Sequence, residues 1–81
     1  MEIKPILNKL NYKKPDLKSV IIYTKKAVIS IEQIHIFFET RNKYNISIIN
    51  YKTQQKQVFF ELTKEQIINK LKRFKIKSYE I

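Results

Sequence analysis

Glycine, cysteine and tryptophan are all absent from this 81-residue chain, and proline occurs only twice. Without glycine there is no glycine-rich loop to cradle a phosphate. The polar connection from Thr53 to Lys56 is not expected to be a tight two-residue turn, because those turns lean on glycine. Without cysteine there is no disulfide framework and no thiolate metal site. Acids are scarce as well: seven Asp and Glu stand against seventeen Lys and Arg, a net charge of +10. No apolar run approaches the ~18 residues a membrane helix needs. Pro5, Asn8, Lys9 and Asn11 break up the N-terminal segment, which therefore lacks the apolar stretch of a signal peptide. The expected location is the cytoplasm, or the interior of a host cell if the protein is viral.

What is present bounds the answer further. A 43% hydrophobic content over 81 residues supports one domain with one modest core. Ile, Lys, Asn and Tyr supply half of the chain. AT-rich codons account for that bias and point to an AT-rich genome: a virus, a plasmid or a low-GC bacterium. Codon bias explains some of the lysines but not the shortage of acids, whose codons are not GC-rich. The positive field is real, and it attracts polyanions: nucleic acid, an anionic membrane surface or an acidic protein.

Two segments rhyme. Ser30-Ile31-Glu32-Gln33-Ile34 and Thr63-Lys64-Glu65-Gln66-Ile67 share a hydroxyl residue with Gln three positions later, the pattern of a helix capping box. Residues 1–18 form a basic lead in which Ile3, Ile6, Leu7 and Leu10 make one helical stripe from Pro5 onward. Ser19 to Thr24 is a β-branched run and reads as a strand. In Ile31 to Asn42, Ile34, Ile36 and Phe38 alternate as in a strand, while Ile31, Ile34, Phe38 and Arg41 recur at helical spacing. The capping box, with Asn42 as a stop, decides for helix. Asn45 to Lys52 and Gln57 to Leu62 read as strands. Lys64 to Phe74 reads as a helix with Ile67, Ile68, Leu71 and Phe74 as its apolar stripe, and Ile76 to Ile81 as a last strand.

The resulting order is strand-helix-strand-strand-helix-strand. It predicts an α+β domain over residues 19–81, a ferredoxin-like βαββαβ sandwich with a four-stranded antiparallel sheet and two helices on one face. In this order the chain resembles an RNA-recognition motif. Ser30-Ile31-Glu32-Gln33-Ile34 running on to Phe38 is similar to the family's first helix, and Lys56-Gln57-Val58-Phe59-Phe60-Glu61-Leu62 is similar to its third strand. Alternation puts Val58, Phe60 and Leu62 toward the helices and Gln57, Phe59 and Glu61 on the open face. Phe59 then matches one surface aromatic of the motif. Gln57 stands where another belongs, the motif's glycine is missing, and Ile21 takes the first-strand aromatic position with Tyr23 two residues on.

The resemblance implies single-stranded RNA or DNA on the open sheet face. Bases would stack on Tyr23, Tyr51 and Phe59, and Lys25, Lys26, Lys52, Lys56 and Lys77 would hold phosphates at the rim. Lys70 and Arg73, in the basic run from Lys70 to Lys77, make a second phosphate-contact strip. No catalytic residue, metal ligand or cofactor is expected: His35 is the one histidine, with no Cys or carboxylate pair beside it. Two other functions compete. One is a virus- or plasmid-encoded protein-interaction module, an inhibitor or a nucleoprotein-complex subunit, that docks an acidic protein or a second copy of itself. The other is a winged-helix duplex-DNA binder, with residues 30 to 62 as a helix followed by a β-hairpin.

Overall fold

A computed structural model describes residues 2–10, 19–34 and 43–81. The elements run α1 (Ile3–Asn8), β1 (Ser19–Thr24), β2 (Ala27–Ile34), β3 (Lys43–Asn50), β4 (Lys56–Leu62), α2 (Lys64–Leu71) and β5 (Ile76–Glu80). All five strands form one antiparallel sheet in the order β4-β3-β2-β1-β5. The first four make a meander. After β4, α2 carries the chain across the sheet to the far side of β1, where β5 closes the other edge.

The expected four-stranded ferredoxin-like βαββαβ order is therefore corrected. The first of the two rhyming segments lies in β2, as strand, and the structure describes that segment through Ile34; residues 35–42 of the expected helix lie outside the described residues. A helix from residue 30, which the winged-helix reading requires, is excluded on the same ground. Pairing across the sheet overrides the local capping signal. As a strand the segment places Ala27, Ile29 and Ile31 in the core with no exposure, and every residue from Ala27 to Ile34 pairs with β3. Such burial outweighs a cap, which is worth about 1 kcal/mol. The second copy does cap a helix. The Gln66 N–H donates to Thr63 Oγ1 at 3.2 Å, and the Thr63 N–H donates to Gln66 Oε1 at 2.8 Å.

The core lies between one sheet face and both helices. From the sheet come Val20, Ile22, Ile29, Ile31, Tyr44, Ile46 and Ile48; from α2, Ile67 and Leu71; from the N-terminal segment, Ile3, Ile6, Leu7 and Leu10. Six residues are too few for a stable isolated helix, so α1 persists because its apolar stripe is buried. It also reaches both neighbours through its end. Lys64 donates to Asn8 Oδ1 at 2.7 Å, and the Lys9 ammonium donates to the Tyr79 hydroxyl.

Gln33 carries the cost of the override. Its side chain is 4% exposed, and neither amide atom has a partner among the described residues. A buried unsatisfied amide costs about 1–3 kcal/mol. Gln33→Met, of similar length, is expected to raise stability by about 1–2 kcal/mol, read as a higher urea midpoint. A segment using Gln33 as a helix-capping group would lose stability on the same change.

Candidate functional site

The strand registers define two ends of the sheet. At one end lie the β1–β2 and β3–β4 turns, the start of β5 and the end of α2. This turn end carries Lys25, Lys26, Lys52, Lys56, Lys72, Arg73 and Lys75. Glu32, Glu61, Glu65 and Glu80 belong to the opposite ends of their elements. The chain thus presents a charge-polarised body, with cations delivered to one end by three separate segments.

Side chains build the turns that glycine would ordinarily supply. In the β1–β2 turn, Thr24 Oγ1 accepts from the Lys26 N–H at 3.3 Å and the Ala27 N–H at 2.9 Å, and donates to the Ala27 carbonyl at 2.8 Å. This closes a loop of just Lys25 and Lys26 with no left-handed residue in it. In the β3–β4 turn, Asn50 Oδ1 accepts from the Lys52 and Thr53 N–H groups at 2.9 and 3.1 Å, and Gln54 takes the left-handed conformation at φ 58°. The Tyr51 N–H donates to the Lys26 carbonyl at 3.0 Å. That bond fixes the two basic turns side by side.

The sheet face away from the helices carries Ile21, Tyr23, Val28, Ile49, Val58 and Phe60, with no described element over it. Phe60 is 68% exposed and Val58 42%. Here the expected facing of β4 is corrected. Phe59 pairs with Ile46, a core residue, and lies on the helix side, while Val58 and Phe60 face outward. Leu62 returns to the helix side opposite Tyr44 because a bulge shifts the register between them. Glu61 sits in this bulge at φ 56°, and its N–H donates to Asn45 Oδ1 at 3.1 Å. Tyr23 hydrogen-bonds through its hydroxyl to Glu80 at 3.2 Å. Partial desolvation, then the charge of Glu80, that hydrogen bond and nearby Tyr51 all push the Tyr23 phenol above its ordinary value, so it stays neutral beside any anion at pH 7.

On the helix side a concavity of about 360 Å³ opens at the turn end, lined by Lys26, Asn50, Gln55, Gln57, Arg73 and Phe74 among others. A shallower continuation reaches Phe59 and Lys70. The Lys70 ammonium stands 3.9 Å from the Phe59 ring centroid and the Arg73 guanidinium 4.8 Å from that of Phe74.

Of the residues expected to bind nucleic acid, Lys25, Lys26, Tyr51, Lys52, Lys56 and Arg73 converge at the turn end. Tyr23 adjoins them on the open face. Phe59 and Lys70 meet in the groove on the opposite face, and Lys77 lies apart on the β5 edge, in the bulge opposite Tyr23 and Thr24. Phe60 was missed as the outward ring. The Phe59-Phe60 doublet guarantees one ring on each face of a strand, but not which. Gln57, expected on the open face, pairs with the core residue Ile48 and lies on the helix side. Phe74, expected in the stripe of α2, lines the groove beyond that helix. Gln55 carried no signal, since only the fold brings these segments together. Among the described residues, no group of three His, Cys, Asp or Glu is placed to hold a metal, and no helix is long and apolar enough to cross a membrane. Comparison with protein-family models, with curated proteins and with solved structures found no match to this chain.

Proposed function

We propose that this protein binds single-stranded nucleic acid at the turn end, with the backbone held by Lys25, Lys26, Lys52, Lys56 and Arg73 and bases stacked on Tyr23 and Tyr51. One observation carries the reading: four lysines on two rigid turns that are hydrogen-bonded to each other share one end of the sheet with Arg73 and two tyrosines. Phosphate neutralisation supplies affinity without sequence preference, and the exposed Tyr51 ring with the half-buried Tyr23 ring beside it favours unstacked bases over duplex. Phe60 replaces Phe59 as the third ring available to the open face.

The test is a titration with single-stranded RNA, single-stranded DNA and duplex at two salt concentrations. Five phosphate contacts give a salt slope of about −3.5 on a single strand, a loss of roughly a hundredfold between 50 and 200 mM. Tyr23→Ala with Tyr51→Ala is expected to weaken single-strand binding by about tenfold or more. Failure to bind any of the three probes at 50 mM salt overturns the proposal.

A second reading, docking of an acidic protein, draws support from the exposed Val58 and Phe60 on edge strand β4. Capture of one acidic protein without any oligonucleotide shift would decide for it.

A further inference from the structure

We infer that the groove between the end of α2 and strands β3 and β4 holds one nucleotide of the bound strand, its phosphate on Arg73 and Lys26 and its base edge on Gln55 and Gln57. This rests on the nucleic-acid reading above and extends it from the open face, around the turn end, to the helix side.

Size is the first argument. Ligand sites run from roughly 300 to 1,000 Å³, and about 360 Å³ is the low end, enough for a single nucleotide. Chemistry is the second. Ala27, Ile48 and Phe74 give the groove an apolar component, and no carboxylate lines it. Arg73 and Lys70 have no carboxylate partner among the described residues and rest on aromatic rings instead. A ring holds a cation in place without cancelling its charge. A phosphate oxygen pair offers Arg73 the bidentate, charge-assisted partner that the ring cannot.

The amides complete the argument. Asn50 commits its side-chain oxygen to the turn. The side chains of Gln55 and Gln57 make no hydrogen bond among the described residues, so each keeps a donor pair and an acceptor. That combination matches the mixed donor and acceptor edge of an unpaired base. An acidic peptide would answer the charge alone. Lying along β4 as an added strand, it would meet a ladder that the bulge at Glu61 breaks off.

The experiment is an NMR titration of the full chain, following backbone and side-chain amides, with three probes: uridine 5′-monophosphate, oligouridylate of eight nucleotides and hexaglutamate. The monophosphate is expected to shift the Gln55 and Gln57 side-chain amides. Gln55→Ala with Gln57→Ala, both exposed positions, is expected to weaken octanucleotide binding about tenfold with an unchanged melting temperature. If that variant binds the octanucleotide like the parent while Tyr23→Ala with Tyr51→Ala loses it, the groove inference falls and the nucleic-acid reading stands. If the octanucleotide binds neither parent nor variant, both fall. Groove shifts with hexaglutamate and none with the monophosphate overturn the inference in favour of a peptide ligand.

Discussion

Leu7→Ala is expected to remove about 3–4 kcal/mol of stability. Leu7 is fully buried in the core beside Ile6, and truncation leaves a cavity that the sheet beneath it cannot collapse to fill. A domain of this size holds roughly 4–12 kcal/mol in total, so the melting temperature should fall by about 15 °C or more. Lys4→Gln, on the exposed face of the same helix, should stay within about 0.5 kcal/mol of the parent. Urea unfolding of the two variants side by side checks the claim. Equal midpoints would mean that α1 does not belong to the cooperative unit.

Neutralising the turn end should have the largest functional effect. With Lys25, Lys26, Lys52 and Lys56 all changed to Gln, single-strand affinity at 50 mM salt is expected to drop by roughly three orders of magnitude. The salt slope should shrink by about 0.7 for each phosphate that the variant no longer neutralises. All four side chains are exposed, so folding should survive. The control changes four lysines away from the turn end, Lys4, Lys9, Lys43 and Lys64, to Gln, with the melting temperature read alongside because Lys9 and Lys64 bond α1 to its neighbours. Equal losses in the two sets would show that total charge, rather than its placement, determines binding.

The sequence shows the strands well where alternation and β-branching agree, as in β1 and β3, and shows α2 best of all, because cap and stripe occupy the same few residues. It misleads at β2. The same cap signal occurs there, but its competitor, the pairing with β3 that runs from Ala27 opposite Asn50 to Ile34 opposite Lys43, has no local trace. The β4 facing was hidden for a related reason: a bulge at a glutamate adds one residue to the count, and alternation then changes phase within the strand. The basic residues of the candidate site were legible as charge. Their gathering at one end was not, since it follows from the five-strand order. The groove was invisible because four segments supply its walls.

Strand β1 lies between β2, its neighbour in sequence, and β5, the last strand. The Tyr23 and Glu80 side chains that meet across this junction are 57 positions apart, and Lys9 reaches Tyr79 across 70. The meander can form as soon as β4 has been made, but its inner face stays uncovered until α2 arrives. The chain's first helix likewise shares its core with Ile67 and Leu71 of α2, far along the sequence. Completion of the fold therefore waits for α2 and β5. Contacts so distant in sequence make folding slow, and a chain that has not yet docked α2 and β5 holds an apolar sheet face open to its surroundings.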